Sequence, residues 1–375
     1  MAASFAFPLQ VAKAGLRPAA RLLRAIPVHA EVMRQSRRQG PRLVFLPAYG
    51  PEGAALLRIY GMAEALQAFG WQSLVLPPGL TLAQRLAFLR RIDPDVVVMQ
   101  GARHALNRPA LYRDWRIVFD MDDADFHLPH LSGPVRRAMA DVAAVIAGSA
   151  YVADWCRLAG ARDAHVVWTG TPVSARPRTP QSARPPVVAW AQTRPMTYRG
   201  EAALVARVMR ALAARRPGVT LRLYDRRLRD DPGFAASFAA PGLTVEWREA
   251  MDYSAYLESF DDVAIGLAPL SPDAPFARGK SFGKILAYLD RKVPVIGSRE
   301  GEHGAFFTAE TGVITNDPEA WVTALDHLLG DGAARQAMAE AAYEAFSLRL
   351  SREAAAEQVS AILMGVVRGQ VARSM

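Results

Sequence analysis

The feature that most constrains the fold of this chain is an alternation of short apolar runs with amphipathic stretches, which occurs twice along its 375 residues. The first series spans 42–170, and the second begins at 187. Between them, the segment 171–186 contains five prolines and has no periodicity, which predicts an interdomain linker. Because short strands that alternate with helices form parallel sheets, we expect two doubly wound α/β domains.

The period of the apolar residues predicts the individual elements. In the first domain we expect strands at 42–48, 73–76, 95–100, 116–120, 142–147 and 165–168, with helices near 54–69, 81–91, 133–141 and 150–159. In the second domain, 187–345, we expect strands at 187–191, 219–224, 243–247, 262–267, 293–297 and 312–315, with helices near 200–215, 253–260, 281–290 and 318–329. The chain from about 332 to 368 is expected to be helical, and 346–375 is assigned to a C-terminal helix.

Most of the net charge of +9 lies in a basic N-terminal tail, residues 1–41. Residues 1–42 contain eight basic residues and one acidic residue, Glu31, and therefore carry +7. The remainder carries only +2, which argues against a nucleic-acid-binding protein. Apolar residues between the arginines predict contact of 1–42 with an anionic membrane surface. A solvated terminus and a transit peptide remain alternatives.

The rest of the composition favours a cytoplasmic protein. The apolar stretch 1–12 precedes the positive charges, the reverse of the order in a secretory signal. No uncharged apolar run reaches eighteen residues, and the single cysteine, Cys156, cannot form an internal disulfide. We therefore expect a cytoplasmic protein that associates peripherally with the inner membrane leaflet through its tail.

Lysine is rare and clustered. The chain has 45 basic residues but only four lysines, and Lys280, Lys284 and Lys292 fall within thirteen residues. A compact, flexible ammonium suits phosphate oxygens. We expect Lys280 and Lys284 to share one face near the positive end of the helix predicted at 281–290, as an anion site. A solvated helix face is the alternative.

At these residues the chain resembles a known family. The stretch KSFGKILAYLDRKVPVIGS at 280–298 resembles the donor-site segment of family 4 type glycosyltransferases with the GT-B fold. DYSAYLESFDDVAIGLAPL at 252–270 and GAALLRIYGMAEALQAFGW at 53–71 are similar to other regions of that family, and the resemblance extends over most of 42–363. It implies two Rossmann-like domains facing a central cleft, with a nucleotide sugar in the second and the acceptor in the first.

The resemblance and the positions of residues at strand and helix ends together predict donor-binding residues, with a simple turn as the alternative for Gly53. They are Gly53, Arg199, Lys280, Ser281, Lys284, Gly301 and Glu302. The lysines, with Arg199, would stabilise the nucleoside diphosphate as it departs, so no metal is required. Glu302 is expected either to contact sugar hydroxyls or to cap a helix. The sequence departs from the family at Ala287 and Gly279, where acidic residues are usual, and this departure puts the identity of the nucleotide in doubt.

The first domain contains the candidate catalytic groups. Asp120, Asp122, Asp123 and Asp125 crowd the end of an apolar strand. They are expected to orient an acceptor hydroxyl or take its proton, to hold a divalent metal, or to cap a helix, and the sequence leaves these alternatives open. His127 follows this cluster, and His104 follows the preceding strand. The catalytic candidates are therefore Asp120, Asp122, His104 and His127.

These observations together predict a glycosyltransferase that moves a sugar from a nucleotide-sugar donor to a glycan or lipid-linked acceptor in cell-surface polysaccharide synthesis. We expect it to retain the anomeric configuration and to need no metal and no cofactor other than this co-substrate. The alternative is a degenerate GT-B-fold protein that binds without catalysis, which Ala287 and Gly279 favour.

Overall fold

The computed structural model describes residues 40–225 and 232–369, which divide into two compact units. The first unit contains 40–147, 153–167 and the C-terminal residues from 356 onward, and the second contains 148–152 and 168–355. The predicted membrane contact of residues 1–42 lies almost entirely outside the described residues. Within those residues, no helix combines the length and the hydropathy that a membrane crossing requires.

The first unit is built on a six-stranded parallel sheet with the order β2-β1-β3-β4-β5-β6. Its strands are β1 (Arg42–Leu46), β2 (Gln72–Val75), β3 (Val96–Gln100), β4 (Ile117–Met121), β5 (Ala144–Ala147) and β6 (Ala164–Val166). The helices between them are α1 (53–69), α2 (Leu82–Ile92), α3 (Pro129–Ala138) and α4 (Ala150–Leu158). Short 3-10 turns lie at Pro109–Leu111 and Asp125–His127. All six strands lie within two residues of their predicted positions at each end. The central strands β3 and β4 are buried at every residue, as expected for strands covered on both faces of the sheet.

Helix α1 changes its winding along its length. It begins as an α-helical turn (Gly53–Ala55), becomes π-helical (Leu56–Gly61), returns to α-helix (Met62–Ala65) and closes as a 3-10 turn (Leu66–Phe69). Such π segments are rare and are frequent at functional sites.

The second unit repeats the architecture, with the sheet order β12-β11-β10-β7-β8-β9. Its strands are β7 (Val187–Ala191), β8 (Val219–Tyr224), β9 (Leu243–Arg248), β10 (Ile265–Ala268), β11 (Val295–Gly297) and β12 (Gly312–Ile314). Its helices are α5 (Arg199–Arg215), α6 (Pro232–Ala236), α7 (Tyr253–Glu258), α8 (Leu286–Asp290), α9 (His303–Phe306), α10 (Pro318–Gly330) and α11 (Gly332–Arg349), with 3-10 turns at Gln181–Ala183, Pro195–Thr197 and Pro275–Gly279. The prediction of two doubly wound α/β domains is confirmed.

The C-terminal region is helical, as predicted. Helix α12 (Arg352–Arg368) follows α11, and its residues from Ala356 onward pack in the first unit. The indole Nε1 of Trp71 donates to Ser360 Oγ at 2.9 Å, and Arg116 Nη1 donates to the carbonyl of Val366 at 2.6 Å. Two pieces of chain that are far apart in sequence therefore build the first unit.

The proline-rich segment 171–186 lies within the second unit and is held there by buried polar contacts. Arg184 donates to the carbonyls of Val263 at 2.8 Å and Arg291 at 2.9 Å. The side-chain amide of Gln181 donates to the carbonyl of Lys292, and Arg335 donates to the carbonyl of Gln181. Side-chain hydrogen bonds of Gln181, Arg184 and Arg335 thus hold this irregular segment against the rest of the second unit.

Candidate functional site

Both sheets have a point at which the strand order reverses, and open α/β sheets bind ligands beyond the carboxyl ends of the strands at such points. In the first unit the reversal lies between β1 and β3. A pocket that is open to solvent is found there. Its walls come from the ends of β1, β3 and β4 and from the start of α1, namely Ala48, Tyr49, Ala54, Gln100, Gly101, Arg103, Asp120, Met121, Asp122, Asp123 and Asp125.

Asp120 is engaged by a buried arginine that the sequence analysis missed. Arg58 Nε lies 3.0 Å from Oδ1 and 3.1 Å from Oδ2 of Asp120, and Arg58 Nη2 lies 2.6 Å from Oδ1. Arg58 comes from the π-helical section of α1, and its Nη1 also donates to the carbonyl of Val167 at 2.9 Å. The two side chains are only 4% and 5% exposed. No sequence motif marks this pair, although an arginine within an apolar helix pattern is a signal worth testing.

The electrostatics of the pair follow from burial and contact. Burial by itself lowers the pKa of Arg58, but the carboxylates of Asp120 and Asp122 raise it above its ordinary value. Burial raises the pKa of the Asp120 carboxyl, and Arg58 acts in the opposite direction. Both Asp120 oxygens accept hydrogen bonds from the Arg58 guanidinium, so the carboxylate is fixed in the wall of the pocket. It is therefore poorly placed to take a proton from a ligand.

The other carboxylates of the pocket differ in exposure. Arg103 Nη2 lies 2.6 Å from Asp125 Oδ1 and 2.8 Å from Asp123 Oδ2, so one guanidinium pairs with both. Asp122 Oδ1 lies 3.6 Å from Arg58 Nη1, and the Asp122 side chain is 20% exposed. Of the two predicted catalytic aspartates, Asp122 is therefore the more exposed in the pocket wall.

The two predicted histidines lie outside the residues that line this pocket. His104 is half-buried, its Nδ1 accepts from the amide of Leu106 at 3.0 Å, and its Nε2 lies 3.5 Å from Arg85 Nη2. Burial, and then the charge of Arg85, lower the pKa of His104. His127 is exposed, and its ring lies 4.6 Å from that of Phe126. The structure thus does not bring His104 and His127 together with Asp122 in the pocket wall.

In the second unit the sheet order reverses between β10 and β7. The loops that follow these two strands meet there, since Lys284 Nζ donates to Thr193 Oγ1 at 2.8 Å. Lys280 Nζ lies 4.7 Å from the centre of the Phe276 ring, a cation–π contact. Arg199 is exposed at the first residue of α5, which follows β7. Three of the predicted donor-binding cations are therefore placed at the carboxyl edge of this sheet.

The helical placement of the lysines was wrong. Helix α8 begins only at Leu286, and residues 281–285 form turns, so Lys280 and Lys284 do not share a helix face. Ser281 is half-buried in the same irregular segment. The hydrogen bond to Thr193 fixes Lys284 across the two loops, which orients its ammonium without a helix.

The loop after β11 contains the remaining predicted donor residues. Gly301 has φ +64°, and a Cβ on it would lie 2.5 Å from the carbonyl oxygen of Lys280. The amide of Glu302 donates to that same carbonyl at 3.1 Å. Glycine is thus required at 301 both by the backbone conformation and by the close approach of two loops. Gly53, by contrast, is exposed with φ +51° and open space around it.

The Glu302 side chain points into the protein. It is 6% exposed, Oε1 accepts from the amide of Ala150 at 2.8 Å, and Oε2 accepts from Trp168 Nε1 at 2.8 Å. The carboxylate therefore ties the loop after β11 to the start of α4 and to Trp168. Ala287 is 2% exposed in α8, so this position offers no polar group to a ligand.

No cluster of three His, Cys, Asp or Glu side chains arranged to hold a metal ion occurs in 40–225 or 232–369.

The chain is similar to several solved glycosyltransferases. Sucrose-phosphate synthase from Thermosynechococcus elongatus is 13% identical, with 90% of this chain and 100% of that chain covered and a TM-score of 0.65. HepE from Anabaena in complex with UDP-glucose is 16% identical, with 86% and 99% covered and a TM-score of 0.66. An alpha-glucosyltransferase in complex with UDP is 12% identical, with 87% and 100% covered and a TM-score of 0.66. No protein-family model matches the chain, and neither does any curated protein. The chain has the GT-B fold of these glycosyltransferases.

Proposed function

We propose that this protein is a glycosyltransferase that takes a sugar from a nucleotide-sugar donor bound by its second unit. The observation that carries the proposal is the meeting of the loops after β7 and β10 through Lys284 and Thr193, at the point where the sheet order reverses. Cationic side chains at that point suit a diphosphate. HepE and the alpha-glucosyltransferase, which have the same fold, bind UDP-glucose and UDP respectively.

The chemistry of the site follows from its charges. When the bond between the sugar and the diphosphate breaks, the leaving nucleotide gains negative charge, and fixed cations then stabilise the transition state more than the ground state. Lys280, Lys284 and Arg199 supply that charge, and Gly301 allows the loop after β11 to lie against the carbonyl of Lys280. We propose transfer that retains the anomeric configuration and uses these cations in place of a metal.

The acceptor is proposed to bind in the pocket of the first unit. The Asp122 side chain is 20% exposed there and is the group that we propose meets a hydroxyl of a glycan, while Asp120 is held by Arg58. We propose a glycan or lipid-linked acceptor of cell-surface polysaccharide synthesis, met at the inner membrane leaflet, where the basic residues of 1–42 would attract anionic lipid.

A second candidate is a protein that binds a nucleotide without transferring a sugar. Ala287 favours it, because a methyl group stands where the resembling family has a carboxylate for the ribose hydroxyls. A charged hydrogen bond of this kind contributes roughly 1.5–3 kcal/mol. Its loss weakens donor binding by about tenfold or more unless another group replaces it.

A thermal-shift panel tests both candidates. UDP, GDP, ADP and their sugar conjugates are added to the wild type, to the double variant Lys280→Ala with Lys284→Ala, and to Lys292→Ala. Lys292 is the matched control, since it belongs to the same lysine cluster but pairs with Glu340. A ligand at 100 times its Kd adds about 2.7 kcal/mol of stability, a rise of several degrees.

We expect one nucleotide to stabilise the wild type and Lys292→Ala but not the double variant. Release of free sugar from the stabilising conjugate, or its transfer, would then separate the transferase from the non-catalytic binder. Equal shifts in all three proteins would contradict the proposed donor site.

A further inference from the structure

The Glu302 side chain is a buried carboxylate that lacks a cationic partner among the described residues. It is 6% exposed, and no lysine, arginine or histidine of 40–225 or 232–369 forms an ion pair with it. Burying a charge costs free energy unless hydrogen bonds or an opposite charge offset it. A specific set of hydrogen-bond donors is therefore expected around this carboxylate, and the structure contains one.

Both oxygens of this carboxylate accept from N–H donors of the same unit. Oε1 accepts from the amide of Ala150, the first residue of α4, at 2.8 Å, and Oε2 accepts from Trp168 Nε1 at 2.8 Å. The positive end of the α4 dipole also favours a negative charge at this position. We call Glu302 and Trp168 the anchor pair.

The main chain of Glu302 contacts the segment that contains Lys280. The Glu302 amide donates to the carbonyl of Lys280 at 3.1 Å. At Gly301, which has φ +64°, the two loops lie so close that a Cβ would be 2.5 Å from the same carbonyl oxygen. Since the carboxylate and the amide belong to one residue, the contacts that fix the Glu302 side chain also fix its hydrogen bond to Lys280.

The ring of Trp168 supports the next part of the same segment. It packs edge-on against Phe282, with the ring centres 5.0 Å apart and the planes at 83°, and Phe282 is fully buried. The Arg349 guanidinium lies 4.9 Å from the centre of the Trp168 ring, a cation–π contact that helps to hold the indole in place. The anchor pair therefore contacts the segment 280–284 at two points, the carbonyl of Lys280 and the ring of Phe282.

We propose that Glu302 is a positioning residue for the donor diphosphate and acts without touching the nucleotide. Its carboxylate fixes the loop after β11, and this loop together with Trp168 fixes Lys280. The inference rests on the proposed function, and it gives Glu302 a role other than contact with sugar hydroxyls. Cations that are already fixed stabilise the developing charge of a leaving diphosphate best, because they need no reorganisation during the reaction.

The test replaces the carboxylate by an amide of nearly the same shape. In Glu302→Gln, the NH2 group must face either the Ala150 amide or Trp168 Nε1, so one hydrogen bond is lost and two donors oppose each other. Trp168→Phe removes one of these donors but keeps an aromatic ring against Phe282. Glu302→Gln should therefore do much less harm when it is added to Trp168→Phe. Trp168→Phe alone, which removes one of the two hydrogen bonds, keeps the test valid if Glu302→Gln does not fold.

Two measurements are made on the full chain, well below the melting temperature of each variant, so that lost stability is not mistaken for lost binding. Hydrogen–deuterium exchange of the ligand-free protein reports on the segments 276–284 and 298–304, and calorimetry gives the Kd of UDP, GDP and ADP. We expect Glu302→Gln to exchange about tenfold faster in both segments and to bind the preferred nucleotide about tenfold more weakly. Glu300→Gln is the matched control and should behave as the wild type, because Glu300 lies in the same loop but accepts from Asn316 Nδ2 at 2.9 Å.

The outcomes separate this inference from the proposed function. Faster exchange of 276–284 together with a weaker Kd, both much smaller in the Trp168→Phe background, supports positioning by Glu302. Exchange that changes only in 298–304, an unchanged Kd, or an equal effect in both backgrounds overturns it. If the wild type binds no nucleotide, the proposed donor site fails. The exchange of 276–284 still decides the role of Glu302 in that case, since faster exchange supports it and unchanged exchange overturns it.

Discussion

His303 makes the stability of the second unit depend on pH. Its side chain is 3% exposed at the start of α9, and Nδ1 donates to the carbonyl of Ser298 at 2.9 Å. Burial lowers the pKa of His303 to about 4, and the hydrogen bond to Ser298 opposes this only in part. In the unfolded chain the pKa returns to about 6.5. Between about pH 4 and pH 6.5, His303 therefore stays neutral in the native state but binds a proton in the unfolded state.

The sign and size of the effect follow from this difference. A depressed native pKa contributes stability above about pH 6.5, and that stability is lost as the pH falls toward 4. At about 1.36 kcal/mol for each pKa unit, the full loss is roughly 3 kcal/mol, of which about 2 kcal/mol falls between pH 7 and pH 5. His303→Asn retains an N–H donor for Ser298 but does not titrate, so it should lack this loss.

Urea unfolding followed by tryptophan fluorescence measures the loss. The wild-type stability minus that of His303→Asn should fall by about 2 kcal/mol from pH 7 to pH 5. Phe307→Leu is the control, since the Phe307 ring lies 6.1 Å from that of His303 and has no titratable group. It should lower stability equally at both pH values. If wild type and His303→Asn lost the same stability on acidification, the burial argument would be refuted.

Two further substitutions test the sites described above. Arg58→Met leaves the Asp120 carboxylate buried without its guanidinium partner. We expect the free energy of unfolding, measured in urea at neutral pH, to fall by about 3–5 kcal/mol, and adding Asp120→Leu should restore most of it. No recovery in the double variant would argue against a charge effect. Gly301→Ala places a Cβ against the Lys280 carbonyl at a strained φ, so we expect a lower melting temperature and weaker nucleotide binding in the thermal-shift panel. Gly304→Ala is the control, because the space around Gly304 is open, and it should leave the melting temperature nearly unchanged.

The strands could be predicted because their signal is local. Val96–Met99 and Val187–Ala191 are continuous apolar runs that are buried at every residue, and such runs fit little besides the centre of a parallel sheet. The start of α10 is marked equally locally, since Asp317 directly precedes Pro318 and accepts from the amide of Glu319 at 3.1 Å as the N-cap. The fold class follows from features of this kind, each contained within about ten residues.

The site residues were harder to predict because their partners are distant in sequence. Arg58 meets Asp120 across 62 residues, and Glu302 meets Ala150 across 152. The helix predicted at 281–290 begins only at Leu286, because the backbone of 281–285 is irregular. Lys284 lies in this irregular stretch and donates to Thr193, which is 91 residues away in sequence. Periodicity reports which residues are buried, but it does not report which polar groups a fold will bring together.

The return of the last helix to the first unit determines when that unit can be completed. Ala356 and Leu363 are fully buried, and Ser360 accepts from Trp71, so this part of α12 fills a gap in a domain that began some 300 residues earlier. A ribosome makes the N-terminal end first, and domains generally fold as units in the order of synthesis. Here the domain that emerges first keeps apolar surface uncovered until the whole of the second domain has been made.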